Sequence, residues 1–92
     1  MKVNICGIEY TVEEKPVNFG GENFGFVSYP DNKIIINSDM SDGMKKVGLF
    51  HEILHAMLFH IGRQDMSDDE TFVISLSHAM ASIFDMKGGE AK

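Results

Sequence analysis

Short runs of β-branched and aromatic residues, separated by turn residues, occupy the first part of the chain. The first run extends from Val3 to Val12. Gly7 lies within it and predicts a bend between two short extended pieces. Residues 13–25 are polar and glycine-rich, which is typical of a loop. The N-terminal part is therefore predicted to form one strand or a small hairpin, followed by a loop.

A β-hairpin is predicted over residues 26–36. Its arms, residues 26–29 and 33–36, flank Pro-Asp-Asn at positions 30–32, and these residue types fix φ and supply the side-chain hydrogen bonds of tight turns. The second arm contains three consecutive isoleucines at positions 34–36, so it is apolar on both faces of the pleat. Such a strand either packs on both sides in the core or pairs at an edge, where an extended peptide could add by β-pairing.

A long amphipathic helix follows the hairpin. It begins at Ser41 or Asp42, either of which can cap a helix, and it ends near Ile61, where Gly62 provides a stop. At about 100° per residue, its apolar positions fall on two faces of the helix. A helix of this kind is predicted to lie between two layers, here the sheet and another helix.

A second helix is predicted to run from Ser67 to about Met86. Ser67 and Glu70 have the spacing of a capping box, and an apolar stripe continues along the segment. Residues 87–92 are polar and are expected to form a flexible tail. The predicted fold class is α+β, with a short antiparallel or mixed sheet of about three strands packed on the long helix and a C-terminal helix.

Length and charge limit the classes of protein. A chain of 92 residues is expected to form one domain, residues 1–92. The net charge of -6 would repel a phosphate backbone, so nucleic acid is not an expected partner. The single cysteine, Cys6, cannot form an internal disulfide. Without a signal-like segment or a membrane-spanning run, the expected location is cytoplasmic.

The segment His51-Glu52-Ile53-Leu54-His55 carries the clearest chemistry of the sequence. On a helix, imidazoles four residues apart project from one side and can bind a common tetrahedral metal ion. Glu52 lies about 100° around the helix from His51, away from the metal but beside it. This is the position of a general base. Because zinc lowers the pKa of a coordinated water towards ~7, the motif predicts one zinc ion per chain and a hydrolytic reaction.

The third zinc ligand has several candidates. Glu70 begins the second predicted helix and could reach back to the metal, although an acidic residue there also suits a helix start. Asp69 and Asp65 are the alternatives. His60 is excluded, because on one helix it lies about 180° from His51. The sequence leaves the choice among the three carboxylates open.

Stabilisation of a developing oxyanion also has more than one candidate. His78 lies two turns beyond Glu70 on the same helix and could donate a hydrogen bond or orient a ligand. Tyr10 and Tyr29 could donate through their hydroxyls. The sequence assigns this role to none of the three.

These features resemble the compact gluzincin-type zincin metallopeptidases of the ImmA/IrrE family and the small HExxH peptidase-like proteins found in phages and prophages. Residues 33–37 are similar to the strand before the active-site helix, and residues 51–55 match its motif. Residues 56–61 look like the apolar continuation of that helix, and the segment from Glu70 onward looks like the ligand-bearing helix. The resemblance covers roughly residues 26–86.

The resemblance implies a function and a set of roles. His51, His55 and Glu70 would bind zinc, and Glu52 would be the general base of a metallopeptidase acting on a protein or peptide substrate. A second hypothesis is a catalytically weak or inactive zincin fold that serves as an interaction module, for example a phage-encoded modulator of a host protein in the host cytoplasm. A third, a metal-dependent ribonuclease, is disfavoured by the acidic charge and by the helical phase of His60.

Overall fold

The computed structural model of the protein describes residues 1–16 and 24–84, which form a small α+β fold. Four strands make a mixed sheet, and three helices follow them along the chain. The strands are β1 (Lys2–Ile5), β2 (Ile8–Lys15), β3 (Gly25–Ser28) and β4 (Lys33–Asn37). The helices are α1 (Asp42–His60), α2 (Gln64–Ser67) and α3 (Glu70–Ile83).

The sheet has the strand order β1-β2-β4-β3 and contains one more strand than the approximately three predicted. β1 and β2 form an antiparallel hairpin whose bend contains Gly7 at φ 88°, as predicted. The loop predicted for residues 13–25 was wrong for residues 13–15, which belong to β2. β2 continues to Lys15 because it pairs in parallel with β4, a long-range partner that no local pattern indicates. Residues 17–23 of that predicted loop lie outside the described part of the chain.

The isoleucine-rich strand β4 lies inside the sheet, between β2 and β3. Ile34 and Ile36 are buried against Leu49 and Ala56 of α1. Ile35, on the opposite face of β4, is also buried. The core position expected from the apolar pattern is therefore confirmed. The alternative that β4 is an exposed edge was wrong, because β3 forms the edge of the described sheet on that side.

The first residue of β3 has to be glycine. Gly25 has a φ of 154°, and a Cβ placed on it would collide with the backbone carbonyl of Ile35 in the neighbouring strand. β3 can therefore lie against β4 at this point only without a side chain. This contact fixes the strand that borders the candidate site described below.

The long helix α1 has the predicted bounds and the predicted environment. Ser41 is the N-cap and accepts a hydrogen bond from the amide of Met44 at 3.3 Å, and the chain leaves the helix through Gly62 at φ 76°. The buried residues of α1 that face the sheet are Leu49 and Ala56, and those in the clusters shared with α3 are Val47, Phe50, Leu54 and Leu58. The helix thus lies between the two layers, with apolar residues on both faces.

The second predicted helix begins three residues later than expected. Ser67 is the last residue of the short helix α2, and α3 starts at Glu70 with Asp69 as its N-cap. The Asp69 carboxylate accepts a hydrogen bond from the amide of Phe72 at 3.1 Å. α3 ends at Ile83, and residues 85–92 lie outside the described part. Over the described residues, no helix has the length and apolar character needed to cross a membrane.

Candidate metal centre

His51 and His55 project from successive turns of α1 towards the start of α3. The Nε2 atom of His51 lies 2.9 Å from one carboxylate oxygen of Glu70, and the Nε2 atom of His55 lies 3.2 Å from the other. One ligand atom from each of the three residues lies within 4.8 Å of the others. This group could hold a metal ion, and its members come from two helices that meet only in the folded chain.

The opposite nitrogen of each imidazole also has a partner. Nδ1 of His51 lies 2.9 Å from Oε2 of Glu52, and Nδ1 of His55 lies 2.7 Å from Oγ of Ser67. Histidines that bind metals generally donate their second ring N–H to an acceptor, which fixes the tautomer and the ring orientation. In both rings, Nε2 therefore faces the common site, while Nδ1 is hydrogen-bonded to a residue on the opposite side of the ring.

Two imidazole nitrogens and a carboxylate are donor types that zinc accepts, and their spacing can be compared with its tetrahedral geometry. Tetrahedral zinc holds its nitrogen and oxygen ligands at ~2.0 to 2.2 Å, which places neighbouring ligand atoms about 3.4 Å apart. The observed separations of 2.9 and 3.2 Å between imidazole nitrogens and Glu70 oxygens are slightly shorter than this. A small outward movement of the exposed Glu70 side chain would accommodate the ion. Two imidazoles and one carboxylate leave the fourth position of a tetrahedral site open.

Electrostatics around His51 favour a positive charge. Burial by itself lowers the pKa of this imidazole, but the hydrogen bonds with Glu52 and Glu70, together with the charges of these carboxylates, outweigh burial and raise it. In the absence of metal, the two carboxylates therefore favour the protonated form of His51. A divalent cation in the same place would satisfy the same carboxylates.

The three potential ligands lie in an open cleft of about 450 Å³. Its walls come from α1, α2, the start of α3 and the edge strand β3. Glu52 is only 4% exposed but reaches this cleft. The cleft is also lined by Gly25, Phe26, Val27, Tyr29 and Ser67. The cleft thus joins the residues of the HExxH segment to the outer strand of the sheet.

The alternative carboxylate ligands are engaged elsewhere. Asp69 caps α3 and is not part of the His51, His55 and Glu70 group. Asp65 forms an exposed ion pair with Arg63 at 2.8 Å, and the hydrogen bonds from this guanidinium lower the pKa of Asp65 to about 2. Among the candidates weighed from sequence, Glu70 is therefore the one placed to act as a ligand.

The other histidines and tyrosines occupy distinct positions. His60 lies away from the group, as its helical phase predicts, and its Nε2 is 2.6 Å from the hydroxyl of the fully buried Tyr10. His78 is exposed on α3 and does not line the cleft. Tyr29 does line it. Of the three candidates for oxyanion stabilisation, only Tyr29 is among the residues that line the cleft.

Sequence reasoning gave Ser67 a different role and left Tyr29 without a place. Ser67 was interpreted as a helix cap, and its hydroxyl instead meets His55. Tyr29 could not be assigned to the cleft because its place depends on how β3 and the hairpin turn pack against α1. No local signal marks either residue, since serine before an acidic helix start and tyrosine before a Pro-Asp turn are both common in unrelated contexts.

Two neighbouring substitutions separate metal binding from capping. Glu70→Ala removes a carboxylate that faces both imidazoles, and we expect zinc affinity to fall by more than ~100-fold, the upper end for an outer-shell partner. Asp69→Ala removes the cap of α3 and should cost ~0.5 to 2 kcal/mol of stability without changing zinc affinity. Zinc titration and thermal unfolding of both variants test this. Equal zinc affinity in Glu70→Ala and the wild type would remove Glu70 from the site.

Comparison with known proteins adds no family to this description. No family model matches the chain, and no curated protein or solved structure matches it. The arrangement of residues in the cleft is therefore the basis on which a function is proposed.

Proposed function

We propose that this protein is a zinc-dependent metallopeptidase of the compact gluzincin type, similar to the ImmA/IrrE proteins, that hydrolyses peptide bonds of a protein or peptide in the cytoplasm. The observation that carries the proposal is the convergence of both Nε2 atoms of the HExxH histidines on the Glu70 carboxylate. Glu52 of the same motif lies beside them in the cleft. Together they supply three metal ligands and a separate carboxylate.

These positions suggest which chemical role zinc and Glu52 would each have. Zinc, when bound, would polarise the peptide carbonyl and make a water molecule more acidic. Glu52 would accept the proton of the attacking water and pass it to the leaving amine. Its burial excludes bulk solvent from the carboxylate, and its hydrogen bond to His51 uses one oxygen at 2.9 Å. Because Glu52 also lines the cleft, its other carboxylate oxygen would be the one to act as the base.

The edge strand supports a peptide as substrate. β3 is the outer strand of the described sheet, and three of its residues, Gly25, Phe26 and Val27, line the cleft. An extended peptide that runs alongside this strand would pass over the metal ligands. The proposed peptide-pairing surface is therefore the edge of β3, whereas the sequence suggested β4.

Tyr29 is the proposed hydrogen-bond donor to the developing oxyanion. Its ring is stacked on Phe59 with centroids 4.1 Å apart, which holds it at the cleft. The hydroxyl donates to the backbone carbonyl of His55 at 3.4 Å, longer than the ~2.7 to 2.8 Å usual for such bonds, so a better acceptor can replace it. Burial, with smaller contributions from Tyr10 and Glu52, raises the pKa of Tyr29 and keeps the donor proton in place.

The two tyrosines of the chain provide a matched pair of variants. Tyr29→Phe should lower kcat by ~10²-fold or more, the effect of losing one oxyanion donor, and should leave zinc affinity unchanged. Tyr10→Phe removes a hydroxyl bonded to His60 and should leave kcat unchanged at a stability cost of about 1 kcal/mol. Steady-state kinetics on a cleaved peptide decide the matter. Equal kcat values for Tyr29→Phe and wild type would exclude the donor role.

The direct test of the proposal uses the zinc-loaded full chain and a mixture of random-sequence peptides. Mass spectrometry should detect new peptide termini that disappear after chelation and return when zinc is restored. A chain that binds no zinc would contradict the metal assignment. A chain with one zinc and no cleavage would contradict the peptidase assignment.

The Glu52–His51 hydrogen bond also favours a second candidate. A carboxylate bonded to the rear nitrogen of a metal ligand is a usual feature of metal sites in general, including those that only stabilise a fold. In this case the protein is an inactive zincin-like interaction module. The two candidates differ in whether Glu52 acts as a base, and its substitution by glutamine distinguishes them.

A further inference from the structure

We propose that Ser67 is a positioning residue that fixes the imidazole of His55 for metal binding. This inference rests on the metal site of the proposed function and adds a residue to it. The Ser67 hydroxyl oxygen lies 2.7 Å from Nδ1 of His55. No feature of the HExxH segment itself requires a serine twelve residues downstream.

Ser67 is held firmly enough to orient another side chain. It is 5% exposed and ends α2, where its amide bonds to the carbonyl of Arg63 at 3.1 Å. Its neighbour Met66 packs against the buried cluster of Leu54, Leu58 and Val73. Because the backbone around Ser67 is anchored to α1 and α3, its hydroxyl provides a fixed point for the His55 ring.

A hydroxyl suits this position because it can both donate and accept a hydrogen bond. When Nε2 of His55 carries its proton and faces Glu70, the serine O–H can donate to Nδ1. When Nε2 binds a metal, the proton moves to Nδ1, which then donates to the serine oxygen. The contact therefore persists in both forms, and the ring needs no reorientation when the metal binds.

The chain connection gives Ser67 a second effect. Ser67 lies three residues before Glu70, and Asp69 between them caps α3. The contact with His55 therefore ties the segment carrying the third ligand to the helix carrying the first two. Losing the contact would free the His55 ring and remove one tie between α1 and the segment before Glu70, so metal affinity should fall although every ligand is still present.

The test compares two buried serines in the full-length chain. Ser77 is fully buried, and its hydroxyl donates to the carbonyl of Val73 at 2.6 Å, whereas the hydroxyl of Ser67 meets an imidazole. Zinc affinity, measured by competition with a chromophoric chelator, should fall ~10- to 100-fold in Ser67→Ala and stay unchanged in Ser77→Ala. Similar losses in the two variants would reduce Ser67 to a structural residue and overturn the proposal.

Two further measurements separate positioning from loss of folding. Ser67→Thr retains the hydroxyl and should restore most of the zinc affinity. In the zinc-loaded protein, an Nδ1–H resonance of His55 that exchanges slowly with solvent should be present in wild type and lost in Ser67→Ala. Wild-type affinity in Ser67→Ala would overturn the role of Ser67 and leave the metal site intact.

A wild-type chain that bound no zinc would contradict the proposed function itself. The contact could still be examined in that case through the imidazole ¹⁵N shifts of His55 in the metal-free proteins. Shifts that coincide in wild type and Ser67→Ala would show that no hydrogen bond holds the ring and would overturn the positioning role independently.

Discussion

Glu52→Gln is expected to retain zinc and lose peptide hydrolysis. Removing a general base typically lowers the rate by ~10²- to 10⁴-fold, because the amide cannot accept the proton of the attacking water. The amide oxygen can still accept a hydrogen bond from Nδ1 of His51, which the Glu52 carboxylate meets at 2.9 Å. The substitution therefore removes the base and retains the positioning contact.

Glu52→Ala is the informative companion. It removes the hydrogen bond to His51 as well as the base, so zinc affinity should also fall, by ~10- to 100-fold for the loss of an outer-shell partner. Peptide cleavage followed by mass spectrometry and zinc titration on both variants measure the two roles. If Glu52→Gln retained the full effect that the wild-type protein has in the cell, the interaction module would be favoured over the peptidase.

His51→Ala and His55→Ala are each expected to abolish stoichiometric zinc binding. Each variant keeps one imidazole and Glu70, which is fewer than the three protein ligands that a catalytic zinc site requires. Metal analysis of protein prepared without chelator should change from about one zinc per chain to none. His78→Ala is a suitable control, because this histidine is exposed and lies outside the cleft. If both single variants retained zinc, His51 and His55 would not be the zinc ligands.

The two substitutions should differ in their effect on the metal-free protein. His51→Ala leaves the buried Glu52 carboxylate without its imidazole partner, and breaking a buried charged pair costs on the order of 3 kcal/mol. His55→Ala removes contacts with Ser67 and the exposed Glu70 and should cost less. Chemical denaturation of the metal-free proteins measures the difference. Equal stabilities would show that the Glu52–His51 contact contributes no more to the fold than the contacts of His55 with Ser67 and Glu70.

The stability that protonated His51 contributes also depends on pH. Its folded-state pKa is raised above the usual 6.5, so the folded chain binds this proton more tightly than the unfolded chain does. The contribution is complete below pH 6.5 and is lost as the pH rises through the raised folded-state value. The stability difference between wild type and His51→Ala should therefore be larger at pH 6 than at pH 9 in the absence of metal.

Local sequence determined the helix that carries the candidate site. The Ser41 cap, the apolar residues on two faces and the Gly62 stop lie within or beside one continuous segment, and they predicted α1 nearly to the residue. Helical geometry then placed His51 and His55 on one side of the helix and excluded His60 as a ligand of the same metal ion. These predictions succeeded because each depends on residues within a few turns of one another.

Tertiary structure decided which distant residues meet this helix. The extension of β2 depends on pairing with β4, and the choice of Glu70 over Asp65 and Asp69 depends on how α3 approaches α1. Ser67 and Tyr29 have neighbours that local sequence alone does not specify. Local patterns specify the period and ends of an element. The partner of a side chain across the core follows from packing the whole chain, and this packing selected Glu70 as the third potential ligand together with its supporting contacts.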